Sequence, residues 1–203
     1  MKTRVKYSIG LISIGIILAI LPYNGQKALI KDPESLLKEV LNEDVIVTPD
    51  QVARMIVNEN PDLRLIDLRP ENEFRSFSLP GAVNVPYDMF IKNDPAAFLG
   101  GGNTKNILYS NGNSHASYAL VIARGMKHQN VYYMKDGMNG WYSTVLESKF
   151  SGDRISAREN TLFETRTKAS KLFYEINSLP DSLKSRLIEA KRLEAKKLDG
   201  GCE

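Results

Sequence analysis

Cysteine is almost absent from this sequence: the only one, Cys202, stands next to the last of 203 residues. A single cysteine cannot close an internal disulfide bond, and it cannot build a metal site from several thiolates. The sequence therefore excludes the disulfide-rich scaffolds and the cysteine-based zinc modules. Any thiol chemistry would depend on one residue of the C-terminal segment.

A strong net charge is also lacking, since 27 Lys and Arg residues face 24 Asp and Glu residues, a net charge of +3. Nothing in this balance points to nucleic acid as a partner. Metal-ligand spacings and nucleotide-binding loops are missing as well, so no cofactor and no metal are implied. Gly100-Gly101-Gly102 lies in a polar stretch without the strand and helix that frame a phosphate-binding turn. Hydrophobic residues make up 42%, enough for a core of ordinary size.

The N-terminal segment has the pattern of a membrane signal. Positive charges at Lys2, Arg4 and Lys6 precede an apolar run over residues 8–21, and the next charge is Lys27. The run is near the lower length limit for a spanning helix and also fits the core of a signal peptide. Pro22 suits a helix end and no small-residue cleavage site follows, which favours an uncleaved anchor over a cleaved signal or a buried helix. We predict a signal-anchor or transmembrane helix at 1–26, in contact with membrane lipid.

The remaining chain divides into three parts. Residues 27–44 are predicted to form a linker helix that begins at Asp32-Pro33, and residues 45–148 form the main domain. Residues 149–203 are a charged helical extension that ends in Gly-Gly-Cys-Glu. Positive charges before the apolar run favour a cytoplasmic N-terminus. The main domain is then expected on the non-cytoplasmic side of a bacterial inner membrane.

The main domain alternates between short strands and helices. Strands are predicted at 45–47, 63–67, 82–85, 106–109 and 131–134. Helices are predicted at 48–58, 71–77, 114–126 and 138–146. Because alternation of this kind gives parallel strands joined by crossover helices, we expect an α/β domain with helices on both faces of the sheet.

The C-terminal extension is predicted to contain two helices, at about 159–177 and 180–198. Possible packing residues of the first are Leu162, Phe163, Phe173 and Ile176. Lys and Arg outnumber Glu in the second helix, which is typical of a solvated, charge-rich surface helix. The alternative is a contact with anionic lipid headgroups or an acidic partner.

Three segments of the main domain contain a recognisable set of residues, namely Asp67, Arg69, Glu73, Phe74, Gly81, Ala82, Pro86, Gly137 and Trp141. In this order along the chain, the segments resemble the rhodanese-like domain of the sulfurtransferases. Phe77 and Ser78 stand where the family has Gly-His, and Asp136 replaces a glycine. The resemblance covers about half of the chain. We expect Asp67 and Arg69 to tie loops together, Trp141 to anchor the core, and Gly81 and Gly137 to occupy turns.

The stretch from Asn106 to Ser117 resembles the family's active-site loop, which lies between a strand and the N-terminus of a helix. The resemblance implies that backbone N–H groups and the helix dipole stabilise a thiolate there, which accepts sulfur as a persulfide. The family pattern is Cys-x-x-Gly-x-Arg or Cys-x-x-Gly-x-Ser. Aligned on Gly112 without a gap, it places Tyr109 at the cysteine position, and with one deletion it places Ser110 there. Neither residue carries a thiol.

What the loop retains is an anion-binding geometry. Its residues are Ser110, Asn111, Gly112, Asn113, Ser114 and His115. A small sulfur-containing anion or an acidic group of a partner would fit there. A hydrolase built on Ser110 and His115 lacks a third group, so we interpret His115 as an exposed residue of the first helical turn.

The layout of anchor, domain, basic helix and terminal cysteine is similar to that of membrane-anchored bacterial rhodanese-like proteins. The functional prediction is a non-catalytic binding or scaffolding module, a pseudoenzyme, with an unidentified protein partner. The alternative is a sulfurtransferase or sulfur carrier in which Cys202 holds the persulfide. Whether the chain is an enzyme stays open at this point, because the loop has no cysteine.

Overall fold

The computed structural model describes residues 43–149 and 156–180, together with residues 12–13, 34–35, 38, 182–184 and 186. The predicted anchor at 1–26 and linker helix at 27–44 therefore lie almost entirely outside the described residues, as does Cys202. In the described part of the chain, no helix has the length and apolarity needed to cross a membrane.

The centre of the molecule is a parallel sheet of five strands. In chain order they are β1 (Ile46–Val47), β2 (Leu63–Asp67), β3 (Val83–Asn84), β4 (Lys105–Tyr109) and β5 (Val131–Met134). Their spatial order is β1-β5-β4-β2-β3, and every neighbouring pair is parallel. The predicted parallel α/β sheet is confirmed.

Six α-helices connect and flank the strands among the described residues. They are α1 (Pro49–Val57), α2 (Glu71–Ser76), α3 (Tyr87–Lys92), α4 (Asn113–Gly125), α5 (Gly137–Trp141) and α6 (Ala157–Asn177). Short 3₁₀ turns lie at Glu43–Val45 and Pro95–Ala97. Capping boxes begin two of the helices, with Thr48 and Gln51 at α1 and Ser156 and Glu159 at α6.

Two elements differ from the prediction. The helix predicted at 138–146 is α5 followed by a π-helical turn over Tyr142–Leu146, closed by a bond from the Glu147 N–H to the Tyr142 carbonyl. This turn leaves Tyr142 exposed while Val145 packs in the core. Helix α3 was not predicted, because it has only six residues and buries only Phe90, which is too short for a periodic pattern.

Helices cover both faces of the sheet, as predicted. Alternating strand residues face opposite sides, so Leu65, Ile107 and Tyr109 pack with residues of α1, α5 and α6. Ile66 and Leu108 pack with Phe90 of α3 and the alanine-rich side of α4. The carboxyl ends of β2 and β4 are therefore held between two packed layers.

Helix α6 packs on the domain rather than extending away from it. Ala169 and Phe173 are buried, and Phe173 is the one predicted packing residue that is fully covered. Arg166 binds both carboxylate oxygens of Asp50 on α1, at 2.6 and 2.7 Å. Beyond α6, Lys184 is only 3% exposed, so the interpretation of this region as a solvated helix is wrong at that residue. Its ammonium is held by backbone oxygens of the domain, a long-range contact that charge patterning does not reveal.

Candidate functional site

The topology creates a crevice between the carboxyl ends of β2 and β4. From β2 the chain passes through α2 to β3 on one side, and from β4 it passes through α4 to β5 on the other. The loops that follow the two neighbouring strands therefore diverge. Ligands of open α/β sheets bind at such switch points. The loop singled out in the sequence, at residues 110–115, begins here.

At the end of β2, Asp67 and Arg69 form a buried ion pair. Both side chains are 0% exposed, and the Arg69 Nε and Nη2 atoms bond to the Asp67 carboxylate at 2.6–3.1 Å. Burial acts to lower the pKa of the guanidinium, but the hydrogen bonds and charge of Asp67 outweigh it, and the Arg69 pKa is raised. Arg69 Nη2 also donates to the Phe77 carbonyl at 2.8 Å. Its positive charge is thus balanced inside the domain, and the pair ties loops together as predicted.

At the end of β4, Tyr109 is a core residue. Its side chain is 0% exposed and packs on the face covered by α1 and α6. The hydroxyl accepts a hydrogen bond from the Leu79 N–H at 3.3 Å. Burial raises the pKa of the phenol well above its ordinary value. Tyr109 is therefore a neutral structural group and lies away from the loop surface.

Ser110 is the first residue of the loop, and its backbone is held by α5. Its carbonyl accepts from the Met138 N–H at 2.8 Å, and the Asn111 carbonyl accepts from the Asn139 N–H at 3.1 Å. Gly137 has a φ of +51°, and a Cβ there would overlap the Ser110 carbonyl. The first N–H groups of α5 are thus used by the loop itself. Ser110 is 5% exposed.

The amide side chains of the loop bond to two carboxylates. Asn111 Nδ2 donates to Glu73 Oε2 at 2.7 Å. Asn113 Nδ2 donates to Asp136 Oδ1 at 2.8 Å, and the Asp136 N–H donates to Asn113 Oδ1 at 2.6 Å. Two negative charges therefore stand beside the N-terminus of α4, where the helix dipole alone would favour an anion. The loop segment 110–117 itself contains no Lys or Arg.

Asp136 is the site residue whose role sequence reasoning missed. In the sequence, Asp136 only replaces a glycine of the family pattern. In the structure it has a left-handed backbone with a φ of +56°, and its carboxylate accepts a hydrogen bond from Asn113. An aspartate at a position that favours glycine was the signal available in the sequence, because it suggests that a side-chain contact offsets the strain. Glu73 was recognised as a motif residue, but its contact with Asn111 was not.

The first turn of α4 carries the remaining loop residues. Ser114 and His115 are exposed, as expected for His115. The His115 ring stacks on Tyr87 of α3, with centroids 4.4 Å apart and 15° between the planes. Among the described residues, no hydrogen bond joins Ser110 to His115. Gly112 precedes the helix, and open space surrounds the position where a Cβ would stand.

The other motif residues have structural positions. Trp141 is 0% exposed in the core, as predicted. Gly81 lies in a turn with a φ of 76°, as predicted, whereas Gly137, with a φ of 51°, is the first residue of α5 and directly follows a turn. Within the ranges that the structure covers, no group of three or more His, Cys, Asp or Glu side chains could hold a metal ion.

The family model described as "Rhodanese-like domain" matches residues 48–144. Residues 48–144 are a rhodanese-like domain. The match begins at the N-cap of α1 and ends inside the π-helical turn, so α6 lies beyond the matched residues. No curated protein sequence matches the chain.

Several solved structures are similar to this chain at low identity. The BH2092 protein from Bacillus halodurans is 13% identical, with a TM-score of 0.46, 64% of this chain covered and 99% of that one. The rhodanese-like domain of the Alr3790 protein from Anabaena is 13% identical, with a TM-score of 0.44 and coverages of 56% and 90%. The human single-domain sulfurtransferase TSTD1 is 17% identical, with a TM-score of 0.42 and coverages of 49% and 96%.

Proposed function

We propose that this protein is a non-catalytic binding module, in which the rhodanese-like domain presents the loop after β4 to a protein partner. The observation that carries the proposal is that this loop has no thiol and that its amide side chains are already bonded within the domain. The two residues that could stand at the family's cysteine position are Tyr109, which lies in the core, and Ser110, which is almost fully buried and has its carbonyl bonded to α5. No thiol is present in the described residues, and the loop amides are already bonded to carboxylates.

The charge around the loop supports a binding role over sulfur transfer. A sulfurtransferase loop must stabilise a thiolate and its anionic donor. Here Glu73 and Asp136 lie within hydrogen-bond distance of the loop side chains, and the charge of Arg69 is balanced by Asp67. These carboxylates disfavour a small sulfur-containing anion. They favour a partner that offers N–H donors or a positive group to Glu73 and Asp136.

The location is part of the same proposal. An uncleaved N-terminal anchor, supported by Lys2, Arg4 and Lys6 before the apolar run at 8–21, would hold the domain on the non-cytoplasmic side of a bacterial inner membrane. Protease treatment of intact spheroplasts tests this orientation. Digestion of the domain from outside is the expected result, and protection until the membrane is lysed would contradict it.

The competing function is a sulfur carrier that uses Cys202. The full chain in detergent micelles is incubated with thiosulfate or a polysulfide, and its intact mass is measured beside that of the Cys202→Ala variant. If the protein is a binding module, neither the wild type nor the Cys202→Ala variant should show a stable gain in mass. A gain of one sulfur atom that disappears in Cys202→Ala would replace the module with a carrier.

The positive test concerns the loop. The full chain is cross-linked in the membrane of its host, and partner recovery is compared between wild type, Asn111→Ala and Ser114→Ala. Gln129→Ala is the matched control, because Gln129 is also exposed but lies near the opposite end of the sheet, just before β5. We expect both loop variants to lower the recovery of the same partner several-fold and the control to leave it unchanged. Equal recovery from all four proteins would contradict the loop as the binding surface.

A further inference from the structure

A short irregular segment, Phe77–Leu79, lies directly against the base of the candidate site. The Phe77 carbonyl accepts from Arg69 Nη2 at 2.8 Å, and the Leu79 N–H donates to the Tyr109 hydroxyl at 3.3 Å. The Phe77 ring lies 5.1 Å from the Arg69 guanidinium and is 44% exposed. This segment is thus one wall of the site, and its aromatic side chain reaches solvent there.

The same segment is bonded on its other side by the C-terminal extension. Asn177, the last residue of α6, accepts from the Ser78 N–H at 2.9 Å and donates to the Ser78 carbonyl at 3.0 Å. A side-chain amide paired with both backbone groups of one residue imitates a pair of strand hydrogen bonds. These bonds join positions 99 residues apart in the sequence.

Lys184 completes the contact. Its Nζ atom bonds to Asn177 Oδ1 at 2.8 Å and to the Arg75 carbonyl at 2.9 Å, and it lies 3.5 Å from the Phe74 carbonyl. Lys184 is only 3% exposed. Burying an ammonium group is unfavourable unless its donors find oxygens, and here the domain supplies them. The Asn177 oxygen is shared between Ser78 and Lys184, so the two contacts support each other.

Phe77 and Leu79 bond to the site and to their sequence neighbours Glu73 and Ala82, whereas Ser78 between them bonds to the extension. The segment belongs to no helix or strand, so it has no regular hydrogen-bond ladder of its own. Both backbone hydrogen bonds of its central residue, Ser78, come from Asn177, which lies beyond the 48–144 match. Local conformational stability follows from such contacts and can be lost without unfolding the sheet.

We infer that Asn177 and Lys184 form a strap that sets the conformation of Phe77–Leu79, so that displacement of the C-terminal extension loosens this wall of the site while the sheet stays intact. The inference goes beyond the proposed function and does not depend on it. The strap provides a route by which a partner of the extension changes the surface beside the loop from a distance.

Amide hydrogen exchange of the full chain in detergent micelles tests the strap. In Asn177→Ala the Ser78 amide loses its acceptor, and we expect its exchange to become about ten-fold faster. In Lys184→Met the Asn177 oxygen remains as the acceptor of the Ser78 amide but loses its bond to the ammonium group. We expect exchange of the Ser78 amide to become about three-fold faster in this variant. Lys171→Met is the control, because this lysine lies on α6 but its side chain is 79% exposed. The β4 amides of Ile107 and Leu108 should not change in any variant.

Two results would overturn the strap. One is unchanged exchange at Ser78 in folded variants, which would mean that Asn177 and Lys184 do not restrain the segment. The other is an equal acceleration at Ser78 and in β4, which would make the extension a general support of the domain. Should Asn177→Ala fail to fold, Asn177→Ser is the milder variant, because its shorter side chain cannot bridge both the N–H and the carbonyl of Ser78. In that variant faster exchange over residues 77–79, with β4 unchanged, is expected, and no change at 77–79 would overturn the inference.

Discussion

The ends of β2 and β4 are neighbours in the sheet, with Asp67 in register with Tyr109, yet they have very different surroundings. The end of β2 holds a fully buried ion pair that matches the rhodanese-like motif. The end of β4 leads into an exposed loop in which the family's thiol is missing and two amides bond to carboxylates. The comparison teaches that the motif pair at the end of β2 supports the fold from within, whereas the polar side chains after β4 lie at the surface.

The largest expected effect is at the end of β2. Asp67→Ala removes the counter-ion of a guanidinium that is 0% exposed, which costs about 3–5 kcal/mol when a buried partner is deleted. Glu71→Ala is the control, because its pair with Arg75 is exposed and contributes less than about 0.5 kcal/mol. Urea unfolding of both variants measures the free energy of unfolding. Equal losses would show that the buried pair is not the stronger support.

The next effect separates two glycines of the loop region. Gly137→Ala forces a Cβ against the Ser110 carbonyl at a positive φ, and we expect a loss of about 2–4 kcal/mol. Gly112→Ala meets open space at a φ of −137° and should change stability by no more than about 0.5 kcal/mol. Thermal unfolding compares them. A similar drop in Tm for both would contradict the docking of α5 against the loop.

The smallest effect concerns Tyr109 and appears at high pH. Burial raises the pKa of its phenol in the folded protein above the unfolded value of about 10. The folded state therefore holds the proton more tightly, and this contribution is complete below pH 10 and is lost as the pH rises through the folded pKa. Tyr109→Phe removes the acceptor of the Leu79 N–H, so it should lose about 1 kcal/mol at pH 7 and should lose stability less steeply above pH 10.

Tyr133 is the matched control for that experiment. Burial and, to a smaller extent, the negative charge of Asp136 also raise the pKa of Tyr133. The Tyr133 side chain, however, is only partly buried. Tyr133→Phe should therefore remove less of the alkaline slope than Tyr109→Phe. The free energy of unfolding is measured between pH 7 and about pH 11. The reverse order would mean that Tyr109 is not the more deeply buried phenol.

Much of the fold was predictable because it depends on local patterns. Strand and helix alternation, the Thr48 cap of α1 and the parallel sheet all follow from short stretches of sequence. The contacts of the site were not predictable in the same way. Asn111 bonds to Glu73, which lies 38 positions away in the sequence, and Lys184 bonds to the Arg75 carbonyl, which lies 109 positions away. Such pairs form because packing brings distant loops together, and nothing near either residue in the sequence indicates its partner.

The sequence was sufficient to show that the segment after β4 has no thiol, because a missing residue type needs no coordinates. It could not choose between Tyr109 and Ser110, since alignment on Gly112 permits both and both faces of the sheet are covered by helices. The tertiary structure shows where each of the two residues lies. Tyr109 turns toward the core beneath α1 and α6, where burial keeps its hydroxyl protonated, and Ser110 is left at the start of the loop.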